Sequence, residues 1–328
     1  MMKKLAVINE FSIEAIKDAL QKLDDFDSFV LNGLNAYQLN EIEKIDPSLF
    51  LEISEKIKAG KWNPNVGIFG ESNEVVSREN LTRNILYSSK YFKEKFNKEY
   101  RVFFGEKIYN SDFAQIVYKG YFDAAVISSE KESFWLDGAD TSRTLVIGGN
   151  IVDVNDIDDD FIKENEFATY EQLAEEIFNS PNNMKSITAE YEKETENELE
   201  SKIVFAEKVA AFNGEDVQNE IEECWKLLFD GKFDEAEKNA DEIIGGRTFD
   251  DKFIKIDSDD IELVNFKFCE DGSGDKFFRI RETAGKEHTL QIVCNELELG
   301  IRCEIIPYEF QNFRVDKDGF VKETFIQE

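Results

Sequence analysis

Residues 60–92 read GKWNPNVGIFGESNEVVSRENLTRNILYSSKYF, and the fold turns on how they are parsed. Gly60 closes an amphipathic helix, Trp62 follows at once, and the glycine-bracketed apolar run 65–69 predicts a strand. A polar loop then leads into a helix from Glu79 to Phe96. The same alternation extends to both sides. KLAVI (4–8) predicts a strand, and IEAIKDALQKL (13–23) a helix with Ile13, Ile16, Leu20 and Leu23 on one face. DSFVL (27–31) predicts a second strand, and SLFLEISEKIKAG (48–60) a helix with Leu49, Phe50, Ile53 and Ile57 inward. YRVFF, FDAAVIS and RTLVIGG predict strands, and DFAQIVYKG a short helix. Apolar strands alternating with amphipathic helices predict an α/β domain over residues 1–160, its parallel sheet covered on both faces.

Beyond it, residues 151–167 read as an acidic connector and the pattern turns helical. Residues 184–214 carry Met184, Ile187, Tyr191, Leu199, Ile203, Ala206 and Val209 at near-heptad spacing, which predicts one long helix. Residues 217–246 predict two more, giving a three-helix bundle within 161–246. The last helical pair is similar to one tetratricopeptide-type unit, but no second copy exists for it to stack on. From Phe253 the period is two, in IELVNFKF, KFFRIRE, TLQIVC and IRCEIIPYEF, with turns at D-G-S-G and D-G. This predicts an antiparallel β domain over 247–328, one sheet of a sandwich.

The 328 residues suffice for two or three modest domains, and 29 phenylalanines supply a core. A net charge of -31 argues against nucleic acid and anionic membranes as partners. The opening MMKKLAVINEF has too short an apolar run for a secretory signal, so a cytoplasmic location is expected. The cysteines (224, 269, 294 and 303) have no C-x-x-C spacing and read as buried thiols. Trp62, Trp135 and Trp225 read as core anchors. Glu79 and Arg83, four apart, read as an ordinary pair on a helix surface. DGSGDKFFRIRE has calcium-ligand spacing at Asp271, Ser273, Asp275 and Glu282, but its strand flanks make it a hairpin turn.

Several motifs, taken in order, resemble glycoside hydrolase family 38, the α-mannosidases. They are G-x-W, G-x-x-x-E and E-x-L-x-R-x-x-L-Y-x-x-x-x-F at Gly60, Trp62, Gly67, Glu71, Glu79, Leu81, Arg83, Leu86, Tyr87 and Phe92. Next come FAQIVYKGYFDAAVIS, FWLDGADTSRTLVI and ECWKLLFDGKFDE. Last are R-x-x-E-x-x-G after Arg279 and IIPYEFQNFRV. The resemblance implies a sugar cleft at the carboxyl edge of the sheet, with Glu71, Arg83, Trp135, Asp137 and Asp140 as candidate ligand-binding residues. Turn and helix-cap contacts are the plainer reading of the same residues.

The resemblance also implies a retaining glycosidase with a zinc ion held by two histidines and two aspartates, one of them the nucleophile. The sequence lacks that set. Its one histidine is His288, in the β domain. The first ligand loop reads VINEFSIE, around Glu10; the nucleophile position falls at Gly105; the last ligand histidine falls at Asp234. No cofactor is therefore expected. Remaining carboxylates, Glu106, Asp112 and Asp234, are the candidates for any relocated catalysis, which would need two of them roughly 5–5.5 Å apart. If Glu10, Glu106, Asp112 and Asp234 converged, an oxygen-rich site would suit calcium or magnesium; scattered solvated acids are the plainer reading. The functions implied are a non-catalytic relative binding a mannose-containing glycan or a protein partner, or a surviving glycoside hydrolase.

Overall fold

A computed structural model describes residues 3–8, 11–70, 77–179, 184–191, 197–250, 252–294 and 299–326. The first part of the chain runs β1 (Leu5–Ile8), α1 (Ile13–Asp25), β2 (Leu31–Gly33), α2 (Ala36–Ile45), α3 (Pro47–Lys58), β3 (Trp62–Asn63), α4 (Arg78–Phe96), β4 (Val102–Gly105), α5 (Phe113–Lys119) and β5 (Ala124–Ile127). It continues through β6 (Phe134–Asp137), β7 (Arg143–Ile147), β8 (Ile151–Asp153), α6 (Asp159–Glu164), α7 (Tyr170–Phe178) and β9 (Ser186–Thr188). Helices α8 (Glu198–Phe212), α9 (Gln218–Phe229) and α10 (Phe233–Ile244) follow. The last part is all strand: β10 (Ile254–Ile256), β11 (Ile261–Phe268), β12 (Lys276–Glu282), β13 (His288–Cys294), β14 (Leu299–Ile305), β15 (Phe310–Val315) and β16 (Val321–Thr324). No described helix is long and apolar enough to cross a membrane.

The α/β part holds two sheets. One is wholly parallel, in the order β3-β2-β1-β8; the other runs β4-β5-β7-β6-β9, with β6 antiparallel to β7. Alternate residues of the central strands enter two different cores. Leu5, Val7, Val126 and Leu145 meet α7 on one side, while Ala6, Ile8, Ala125 and Val146 meet the other helices on the second. Both faces of these strands are thus apolar, as burial on both sides requires.

The opening stretch parses differently from its periodicity. The run 65–69 is irregular, and the strand is Trp62–Asn63 just before it. Side chains of α4 explain this. Asn84 Oδ1 accepts from the Phe69 amide at 2.8 Å and Ser88 Oγ from the Gly67 amide at 3.1 Å, replacing ladder bonds. Gly67, at φ +127, lies so close to Phe103 that a Cβ would sit 2.3 Å from its ring. Trp62 is fully buried and its indole donates to the Gly33 carbonyl at 2.9 Å. The second strand is shifted to Leu31–Gly33, and α2, opened by an Asn35–Gln38 capping box, adds a helix that the pattern did not announce. The connector 151–167 contains β8 and α6. The single helix expected over 184–214 is instead β9 and α8, with 192–196 outside the described residues.

The C-terminal strands form two antiparallel sheets rather than one. They run β10-β13-β14 and β11-β12-β15-β16, and share one apolar core that includes Phe266, Phe278, Ile280, Leu290, Ile292 and Phe313. The D-G-S-G segment is the hairpin between β11 and β12. A register shift between Leu263 and Asn265 flips the parity of β11. Leu263 faces the sandwich core, whereas Asn265 and Lys267 share the opposite face with Arg279, Arg281 and Asn312.

Replacing Trp62 by Ala removes a fully buried indole and strands the Gly33 carbonyl. Urea unfolding is expected to show a loss of about 3–5 kcal/mol with an unchanged m-value.

Candidate functional site

The second face of the sheet β11-β12-β15-β16 is polar, and it is buried. It lies against α4 and α8, and there the charges of both parts meet. Arg83 is 1% exposed, not a surface residue. Its Nε donates to Glu79 at 2.7 Å and its two terminal nitrogens grip both oxygens of Glu207 on α8. Asn265 Nδ2 donates to Glu207 at 2.9 Å, and Arg279 donates to Glu79 at 2.6 Å and to Asn312 at 2.7 Å. Lys267 pairs with Glu270, which lies 3.9 Å from Arg83, and the Arg83 guanidinium lies over the Trp225 ring. Three carboxylates thus face three cations. Burial alone would raise the Glu79 carboxyl, but Arg279 and Arg83 outweigh it and hold the group down at about 2.

A second cluster sits beside it, at the carboxyl end of β4. Asp112, 2% exposed, is clasped by Arg78, which opens α4, and by Arg281 of β12. The Tyr191 ring covers both guanidiniums, at 5.2 Å from Arg78 and 5.8 Å from Arg281, and stacks on Tyr308 at 4.0 Å. Gln115 on α5 bridges to the Tyr308 carbonyl and the Phe310 amide, at 3.3 and 2.7 Å. Glu282 is fully buried and accepts from the amides of Ala284, Gly285 and Tyr308, each at 2.8 Å. Burial pushes its carboxyl up, and these amides outweigh that and lower it.

The candidate residues fall into separate surroundings. Glu106 is exposed on the loop after β4, whereas Asp112 is a buried counter-ion. Asp234 is exposed in the first turn of α10. Among the described residues no hydrogen bond or ion pair joins these three, and no group of three His, Cys, Asp or Glu could hold a metal. Glu10 and Glu71 lie outside the described residues. Trp135 and Asp137 share one face of β6. Arg143 pairs with Asp137 at 2.9 Å, with its guanidinium 4.5 Å from the Trp135 ring, and donates to Ser186 at 2.6 Å. Trp135 is half-buried, whereas Trp62 and Trp225 are full core anchors. Asp140 ties a turn, accepting from the Ser142 amide and hydroxyl at 3.2 and 2.5 Å. Burial raises its carboxyl.

Residues 10–127 match the family model of the glycosyl hydrolases family 38 N-terminal domain. The match covers just over a third of the chain. Solved structures agree at the level of fold. A protein in glycosyl hydrolase family 38 from Enterococcus faecalis has a TM-score of 0.56 at 10% identity, over 96% of this chain and 54% of its own. An α-mannosidase from Enterococcus faecalis V583 gives 0.53 at 9%, over 92% and 53%. A 4-α-glucanotransferase from Thermococcus litoralis gives 0.51 at 9%, over 89% and 65%. The chain spans about half the length of the first two. Among curated proteins no sequence match is found.

The zinc site implied by a family 38 resemblance does not fit these residues. Gly105 offers no donor, and a Cβ there would lie 2.7 Å from the Phe103 ring and 3.0 Å from that of Tyr109. His288 Nε2 lies in the β part, 3.6 Å from Asp260 and 3.7 Å from Glu282. Sequence reasoning overlooked Arg78, Glu207, Arg281, Tyr191 and Tyr308. The available signal was the alternation in FFRIRE, where two arginines interleave with core residues.

The ordinary Glu79 value is 4.5 and the folded value about 2, so its contribution to stability is full above about pH 4.5 and lost as pH falls toward 2. Glu79→Gln is expected to lower stability at neutral pH and to flatten the loss across that window. Urea midpoints measured at a series of pH values check this.

Proposed function

We propose that this chain is a degenerate relative of the α-mannosidases, without glycosidase chemistry, that uses the retained fold to bind a carbohydrate or a partner. In this reading residues 1–160 are the reduced catalytic body, 161–246 a helical bundle bracing it, and 247–328 its C-terminal β unit. No cofactor is used. The observation that carries the reading is Gly105. A retaining mechanism needs a carboxylate that attacks the sugar, and the place the family resemblance gives it holds a hydrogen, with Phe103 and Tyr109 packed where a side chain would go. Asp112, the nearest buried acid along that loop, is committed to Arg78 and Arg281. Its charge is spent on joining two parts of the chain.

For the retained binding role, the Trp135–Arg143–Asp137 face is the best supported location. An aromatic ring beside an arginine–aspartate pair, half open to solvent, suits a neutral hydroxylated ligand such as a mannose-containing glycan. A cytoplasmic location remains part of the proposal.

The test is an aryl α-mannoside assay of the purified chain with and without added zinc, beside glycan binding. The proposal expects no turnover above a Glu106→Gln control in either condition, and glycan binding weakened about tenfold or more by Trp135→Ala. Zinc-dependent turnover would overturn it. Gly105→Asp, which restores a carboxylate, is expected to cost about 1–3 kcal/mol by overpacking against Phe103 and Tyr109 and to give no activity.

A further inference from the structure

The β sandwich ends in an open edge, and the residues along it are self-complementary. Strand β14 pairs with β13 on one side, and among the described residues no strand pairs with its other side. Seven residues of unpaired edge are a template for another strand.

Which backbone groups point outward follows from the ladder. The Gln291 carbonyl accepts from the Asp257 amide, so Gln291 faces the β10 side. Its neighbours Leu290 and Ile292 therefore face β14, where they pair with Cys303 and Ile301. Gly300, Arg302 and Glu304 are left with amides and carbonyls directed to the open edge. The side chains alternate likewise: Arg302 and Glu304 are exposed, whereas Ile301 and Cys303 are half-buried at the rim of the sandwich core.

Arg302 stands apart from the other arginines. The chain has nine, and the other eight each hold a carboxylate. Arg302 and Glu304 have no ion pair with any described residue. In a chain of net charge -31, an exposed arginine without a carboxylate is out of keeping with its surroundings.

We infer that β14 pairs with β14 of a second copy of this chain, antiparallel, about a two-fold axis through Cys303. Only this register opposes Arg302 to the partner's Glu304, twice by symmetry, while joining the residues whose backbones point outward. A register centred on Arg302 would set like charges face to face. Centring on Cys303 extends the sheet across both copies and covers the half-buried Ile301 and Cys303. The Glu304 carbonyl already accepts from Gln311 Nε2 at 2.7 Å, and its second lone pair serves the partner strand. The two Cys303 residues then form a non-hydrogen-bonded pair, with Cα atoms about 4.5 Å apart, within disulfide reach.

The experiment uses the full chain. Light scattering behind size exclusion at about 50 μM and moderate salt is expected to give twice the chain mass, the complex weakening as salt rises. R302E and E304R, each placing like charges opposite one another, are expected to weaken dimerisation at least about tenfold, and the double variant R302E/E304R to restore it. Burial pushes the Cys303 thiol up to about 11, so crosslinking calls for an oxidant, copper-phenanthroline with dissolved oxygen. Two thiols lose two protons and two electrons, oxygen takes up the electrons, and one S–S bond forms. The doubled band on a non-reducing gel is expected to vanish in C303S and to persist in C224S, C269S and C294S. A monomer at this concentration, a dimer indifferent to both charge variants, or a crosslink that survives C303S would each overturn the inference.

Discussion

Arg83 and Glu207 meet as a bidentate pair inside the protein, one on the helix that follows the opening stretch and the other on a helix more than a hundred residues later. Each is almost wholly out of water. A charge buried alone is costly, so neither helix can sit where it does without the other. Arg279 extends the same demand to the β part through Glu79, and Arg281 repeats it through Asp112. The network is neutral, with three carboxylates against three cations, and its spare valences are taken by Asn265, Asn312 and Tyr87. Such a set favours the arrangement of helices and sheet in which each buried charge meets its partner, since a buried charge left alone is costly.

This constraint gives the recurrent motifs a meaning that differs from chemistry. Glu79 and Arg83 of E-x-L-x-R, Trp225 of the α9 motif, and Arg279 and Glu282 of R-x-x-E-x-x-G are all network residues or turn anchors beside it. These motif residues thus form the joint between the α/β part and the sandwich. The Trp135 face lies on β6, which pairs with β9, and the chain leaving β9 reaches the joint at Tyr191.

Much of this was legible from residue periodicity. β1, α1, α4, α5, β5, β7 and the hairpin at D-G-S-G follow from spacing and turn chemistry alone. The misplaced strand at 65–69 shows the limit: its Phe69 and Gly67 amides go to Asn84 and Ser88, side chains that no local pattern links to it. Arg83 read as a surface residue because charge at i,i+4 ordinarily means solvent, and only the fold supplies Glu207. IELVNFKF reads as plain period-two alternation, and the bulge between Leu263 and Asn265, which turns a polar face inward, depends on what packs there. Glu106, Asp112 and Asp234 could be named as acids from the sequence, but their separation into solvent, ion cluster and helix surface could not.

The most direct measurement is a double-mutant cycle on the Arg83–Glu207 pair, with Arg83→Met, Glu207→Gln and the two combined, followed by urea unfolding. Each single change should cost about 3–5 kcal/mol by leaving a buried partner unmatched, and the double should cost little more than either. Additive losses, with no coupling between the two sites, would mean that the joint is held by something else.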